Sequence, residues 1–550
     1  MGKMGPVPSG CCPKWPHAVL LVIYLDLPNY TPRALLGAIW ASNAATWQVL
    51  TGPKTMITMR FKRLSALALL TGGLFLASTG VFAESEEGES GLELETCELV
   101  VPGTPLSTVG ECGWIEAAEN PDDPGGRQIQ IRVARIPARG RVAEPDPLVF
   151  FAGGPGQSAT ESWPIIARAL TKVNETRDIL LVDQRGTGQS NALKCPQVEL
   201  DKALALDWDE LARSTQECLD SLDGNPRFYT TTIAMHDIDA ARAALGYEQV
   251  NLFGGSYGTR AAQVYLRLFP KRVRTIVLDG VVPQTLALGT EHAKKLDQAI
   301  YRVLKACDDD PLCGEAFPDT AGKLASLALE LEENPVEITV EHPTTGEPFP
   351  LTFNREVLST SLRFLTYSSD TQAMLPLLIH EAAVDQRFDR LASQMLIAAT
   401  GLQQSISQGM ELSVMCAEDY PLFPAEPSPN EYLMGDMMEK AVLIQCGIWP
   451  QGPVPENFHE PVSADVPILL LSGELDPVTP PEYADQVAAH FPHSRHLIAP
   501  GQGHIATTRG CMGKIVSEFI IEGNADELET DCISDLQPTP FFISLTGPTP

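Results

Sequence analysis

The chain has 550 residues, 44% hydrophobic and 20% charged, enough apolar material for a sizeable core. Its 39 Lys and Arg against 70 Asp and Glu give a net charge of −31, which excludes a nucleic-acid binder that neutralises phosphates through a basic face. Twelve cysteines are too many for an ordinary cytosolic chain without metal motifs.

Residues 1–83 are read as lying outside the fold. Arg60, Phe61, Lys62 and Arg63 follow Met59, an apolar stretch runs from Leu64 to about Leu76, and Val81-Phe82-Ala83 precedes an acidic run from Glu84. A basic n-region, a short apolar h-region and a small residue at the cut predict a secretory signal peptide over 59–83. The apolar stretch is too short for a comfortable membrane span, and no cysteine at the cut offers a lipid anchor, so no stable membrane anchor is expected. A signal peptide works at a true N-terminus. Residues 1–58, with an apolar run from Ala18 to Leu25 and no clear periodicity, are therefore read as a doubtful extension, with translation starting at Met56 or Met59.

Without residues 1–83 the chain carries 32 basic and 69 acidic residues, a net −37, and ten cysteines. An even number in an exported chain, with no CxxC pair, reads as disulfides and places the protein outside the cell or in the periplasm. The cysteines fall in sequential couples, which suggests Cys97–Cys112, Cys195–Cys218, Cys307–Cys313, Cys416–Cys446 and Cys511–Cys532.

Glu84–Glu95 is acidic and reads as a flexible leader. Arg127–Ile136 alternates like a half-buried strand. Short continuous apolar runs at 148–151, 179–182, 250–253, 275–278 and 468–471 fit buried parallel strands. Helical patterns lie between them, at Met235–Leu245 and Thr259–Leu268. This alternation predicts an α/β fold with a mostly parallel sheet flanked by helices. The rhythm breaks from about Pro283 to Ala464, where helical patterns at 291–305, 321–332, 355–365 and 385–399 and one strand at 336–340 read as an inserted, mainly helical cap. The expected layout is a first core part over 84–283, a cap over 284–464 and a C-terminal core part over 465–550.

The chemistry centres on Phe253-Gly254-Gly255-Ser256-Tyr257-Gly258, a G-x-S-x-G sequence between a strand and a helix. A tight turn there exposes the Ser256 hydroxyl as nucleophile and aims the Tyr257 amide at an oxyanion. Asp476, in the acidic loop after Ile468–Leu471, is the expected carboxylate, with Glu474 and Asp485 as rivals. His504, in Gly501-Gln502-Gly503-His504 after the next strand, is the expected general base. His490, His493 and His496 read as surface residues rather than metal ligands. The second oxyanion donor is expected in Ala152-Gly153-Gly154-Pro155-Gly156, from Gly154, with Gly153 as the alternative. That loop lacks the lysine and the G-x-G-x-x-G spacing of a phosphate cradle.

Together Ala152-Gly-Gly-Pro-Gly156, Asp183-Gln-Arg-Gly-Thr-Gly-Gln-Ser190, Gly254–Arg260, Gly473-Glu-Leu-Asp-Pro477 and Gly503-His504 resemble the α/β-hydrolase peptidases of the prolyl/tripeptidyl aminopeptidase family. The resemblance spans about 148–511, and residues 415–535 resemble the C-terminal segment of the secreted tripeptidyl aminopeptidases. It implies an α/β-hydrolase fold, peptide substrates, and release of residues from peptide N-termini without metal or organic cofactor. Prolyl iminopeptidases usually place His before Gly-Gly-Pro-Gly; Ala152 stands there and points to the tripeptidyl branch. The resemblance also implies an acidic cap residue on the substrate's free ammonium, for which Glu418 is the candidate; the alternative is a solvated acidic loop. Asp183 and Arg185 read as braces of the turn. An esterase or thioesterase with the same triad, and an inactive binding protein on the same fold, are the other readings.

Overall fold

The computed structural model describes residues 92–196, 207–427 and 429–548, together with four strands nearer the N-terminus. Those four, β1 (Leu21–Ile23), β2 (Leu35–Ala41), β3 (Ala44–Leu50) and β4 (Met56–Thr58), pair in that order as an antiparallel sheet within the unit Met1–Glu87. The signal peptide expected over 59–83, and the leader before residue 92, lie outside the described residues.

The unit Gly88–Pro550 is built on a nine-stranded sheet. Its strands are β5 (Glu95–Val100), β6 (Ser107–Ala118), β7 (Gln128–Ile136), β8 (Leu148–Phe151), β9 (Ile179–Val182), β10 (Val250–Gly255), β11 (Val273–Asp279), β14 (Ile468–Gly473) and β15 (Ser494–Ala499). They lie in the order β15-β14-β11-β10-β8-β9-β7-β6-β5. From β15 to β9 every neighbour is parallel; β9, β7, β6 and β5 pair antiparallel.

The five apolar runs become strands because helices cover both faces of the sheet, so alternate residues all need apolar surroundings. Val149 and Phe151 point into one core with Ile238, Ala261 and Tyr265; Leu148 and Phe150 point into the other with Trp163, Ile515 and Phe519. The first core is closed by helices Thr231–Ala244 and Tyr257–Leu268, the second by Ala159–Ile166 and Met512–Glu522. Strands β5 and β6 are an addition to the sequence reading. They are half-exposed strands of mixed composition, without a clean apolar alternation, β5 at the sheet edge and β6 next to it, and Cys97–Cys112 joins them.

Between β11 and β14 the chain is mainly helical. Helices His292–Asp309, Thr320–Glu333, Arg355–Leu365, Leu375–Val384 and Asp389–Ser405 share a core through Leu296, Leu327, Leu358, Leu362, Leu378 and Leu391. The single strand expected at 336–340 is one arm of a hairpin, β12 (Val336–Glu341) against β13 (Pro348–Phe353). Its partner carries two prolines, Pro348 and Pro350, which mask the pattern. All five cysteine couples are bonded as suggested. Among the described residues, no helix is long and apolar enough to cross a membrane.

Candidate active site

Ser256 stands between β10 and helix Tyr257–Leu268 with φ 55° and ψ −127°. A non-glycine residue takes this backbone only when its surroundings enforce it. The flanking glycines are required by contact. A Cβ on Gly258 would lie 2.2 Å from the Phe151 carbonyl oxygen, and one on Gly254 would lie 2.3 Å from the Gly258 carbonyl oxygen. The Ser256 amide donates to the Asp279 carbonyl (2.9 Å), and the Thr259 hydroxyl donates to the Ser256 carbonyl (2.6 Å).

Asp476 lies in the loop after β14, fully buried, and its Oδ2 is 2.7 Å from His504 Nδ1. Its Oδ1 accepts from the Val478 and Thr479 amides, each at 2.8 Å. The Thr479 hydroxyl donates to Oδ2 at 2.8 Å and stands 3.1 Å from His504 Nδ1. Burial works against both charged forms. The mutual attraction of the pair outweighs it, so the Asp476 carboxyl is held below its ordinary value and the His504 imidazole above its own. Both His504 and Ser256 lie at the end of β11: the Asp279 carbonyl holds the Ser256 amide, and a Cβ on Gly280 would lie 2.9 Å from His504 Cε1.

The rivals are engaged elsewhere. Glu474 accepts from the Gly501 amide (2.8 Å), and Asp485 is 2.8 Å from His496 Nδ1. His490 and His493 are exposed, as expected; His496, on β15, is half-buried, with its ring between exposed Asp485 and the Ser472 hydroxyl (2.9 Å). The loop after β8 lies against the nucleophile: a Cβ on Gly153 would be 3.2 Å from Ser256 Cβ. Gly154 follows with φ 106°, a conformation open to glycine. The loop is tied to the segment before helix Gln408–Val414: the Ser407 amide donates to the Gly156 carbonyl (2.9 Å), and Gln157 and Ile406 form a β-bridge.

Asp183 and Arg185 are internal braces. Buried Asp183 accepts from the Ser158 hydroxyl (2.7 Å) and from the Thr160 amide (2.9 Å) and hydroxyl (3.0 Å). Arg185 makes a two-pronged contact with Asp237 (2.7 and 2.8 Å).

Glu418 corrects the sequence expectation in both its forms. Glu418 and Asp419 are 0% exposed and lie on a π-helical turn, Met415–Asp419, so they are not a solvated acidic loop. The Glu418 carboxylate is engaged within the protein instead. Its oxygens accept from the Thr231 amide (2.6 Å) and hydroxyl (2.8 Å), and that hydroxyl is 2.5 Å from the Tyr257 phenol. Glu418 supports the Tyr257 ring from behind. Burial pushes its carboxyl up to about 8, with the Thr231 bonds and Arg260 opposing. Its neighbour Asp419 pairs with buried Arg260 at 2.8 Å.

Four residues absent from the sequence reading belong to the site. Asp279 accepts from the Ala506 and Thr507 amides (2.9 and 2.8 Å) and so anchors the loop after His504. Thr479 orients the Asp476–His504 pair. The Tyr367 carbonyl accepts from the His504 amide (2.8 Å), and its ring packs edge-on against the imidazole at 5.5 Å. Glu411, on helix Gln408–Val414, is half-buried, and its carboxylate has no partner among the described residues. Burial pushes that carboxyl up to about 7, with the charge of Arg363 opposing. Of these only Asp279 carried a sequence signal, as an acid at the end of an apolar run.

The alpha/beta hydrolase fold family matches residues 146–507. The serine protease Hip1 of Mycobacterium tuberculosis is 25% identical, over 85% of this chain and 96% of its own. A tripeptidyl aminopeptidase of Streptomyces coelicolor is 25% identical, over 84% of this chain and 90% of its own. A protein named carboxylesterase B, from Mycobacterium tuberculosis, is 29% identical over 85% and 97%.

Proposed function

We propose that this chain, which belongs to the α/β-hydrolase family, is an exported serine peptidase, an aminopeptidase that releases single residues or tripeptides from peptide N-termini through an acyl-enzyme on Ser256. The carrying observation is the 2.7 Å Asp476–His504 pair held at the same strand end as the strained Ser256.

His504 Nδ1 faces Asp476, which leaves Nε2 for the Ser256 hydroxyl proton. The serine oxygen attacks the scissile carbonyl. The Tyr257 and Gly154 amides, or Gly153 in place of Gly154, stabilise the oxyanion. His504 then protonates the leaving amine, and water repeats the sequence to release the acid. Glu411 replaces Glu418 as the carboxylate offered to the substrate ammonium: it is unpartnered, and its helix starts at the oxyanion loop. Five disulfides support export.

The test is a panel of aminoacyl and tripeptidyl anilides, free and N-blocked, beside p-nitrophenyl esters. Free amines should be preferred, and Glu411→Gln should raise KM for them. Equal rates on free and blocked peptides would remove the exopeptidase claim. Hydrolysis of esters with no anilide cleaved would make the chain a carboxylesterase, the reading that the 29% identical relative favours.

A further inference from the structure

The cap carries, near the triad, a cation with no acidic partner within ion-pair distance among the described residues. Arg363, on helix Arg355–Leu365, is half-buried. Its guanidinium has two contacts, the Met438 sulfur at 3.3 Å and the Tyr367 hydroxyl at 3.5 Å, and no carboxylate within ion-pair distance among the described residues. Both contacts are weak acceptors for a group with five donors. In a chain of 70 acids, a half-buried arginine without an acidic partner among the described residues is costly unless a ligand supplies one.

Tyr367 links that guanidinium to the catalytic base. Tyr367, one turn further on, packs edge-on against His504. His292, at the start of helix His292–Asp309, has both ring nitrogens buried without partners. Burial, with the charges of Arg363 and His504, pushes the His292 imidazole down to about 3 against the opposing charge of Asp476, so it is neutral and able to donate. Glu411, whose carboxyl feels the charge of Arg363, stays beyond ion-pair distance.

We propose that Arg363, with His292 beside it, forms an anion subsite that receives a carboxylate of the substrate. This rests on the peptidase reading and deepens it: the preferred substrates are peptides with a carboxylate near the scissile bond. That carboxylate comes from an acidic side chain or from the C-terminus of a short peptide. The two sources present the same planar oxygens to a guanidinium.

The experiment uses three matched short peptides. One is neutral and C-amidated, one has a free C-terminus, and one is amidated with Glu in place of Gln next to the scissile bond. Each is measured as a substrate and as a protectant of Ser256 against a fluorophosphonate probe. At least one acidic peptide should outperform the neutral one by about tenfold. Arg363→Met should bring that ratio to about one, and Arg363→Lys should keep part of it. The ratio is internal to each variant, so partial misfolding does not disturb it. No preference in the wild type, or a preference that survives Arg363→Met, overturns the subsite. Whichever acidic peptide carries the preference identifies the source. If no peptide is cleaved while esters are, the peptidase reading fails, and probe protection still decides the subsite.

Discussion

Asp279→Asn tests whether the end of β11 positions the catalytic base. The carboxylate holds two backbone amides of the loop that follows His504, Ala506 at 2.9 Å and Thr507 at 2.8 Å, in a fully buried setting. The amide isostere keeps one acceptor oxygen and turns an NH2 toward the other amide, so one bond to a charged group is replaced by two facing donors. Such a bond is worth about 1.5–3 kcal/mol. If that restraint is what keeps the imidazole on line, kcat falls by roughly ten- to a hundredfold. KM should move less than about threefold, because Asp279 does not line the substrate path. The assay is steady-state hydrolysis of the best anilide, with active sites counted by fluorophosphonate titration, beside thermal unfolding. A lower Tm with unchanged kcat per titrated site would mean that Asp279 only stabilises the fold, and the positioning argument would fail.

Two further outcomes follow from the same geometry. Asp476 holds the His504 imidazole above its ordinary value, so the acid limb of kcat/KM should lie above pH 6.5; Asp476→Asn should move it to lower pH and cut kcat by about 10^4. An acid limb unmoved by the substitution would contradict the pairing. Glu418 has its carboxyl raised from about 4.5 to about 8, so the fold favours its protonated form. The stability it contributes is complete below about pH 4.5 and is lost as pH rises through 8. Glu418→Gln, neutral throughout, should flatten the fall of Tm over that window; a slope identical to wild type would show that the carboxyl does not titrate there.

The triad was legible because each member sits in a local pattern with a steric cause. Gly254 and Gly258 are glycine since a Cβ would strike backbone oxygen, and Asp476 and His504 follow apolar strands in the order this fold uses. The disulfides were legible because every couple is close in sequence. Glu418 was misread because an acidic run says nothing about which backbone donors surround it; Thr231, which holds it, is 187 residues away. Arg363, Tyr367 and His292 come to the site only through the packing of the cap, and no spacing in the chain records it. Strands β5 and β6 escaped because half-exposed strands at the end of a sheet tolerate polar residues on both faces.

The bridge between Gln157 and Ile406 and the Ser407–Gly156 hydrogen bond sew the rim of the cap to the loop expected to bind the oxyanion. Along this rim, access and competence share one coordinate. Any motion or mutation that widens the mouth by lifting 406–414 also slackens the backbone beside Ser256, so a roomier entrance there comes with slower chemistry.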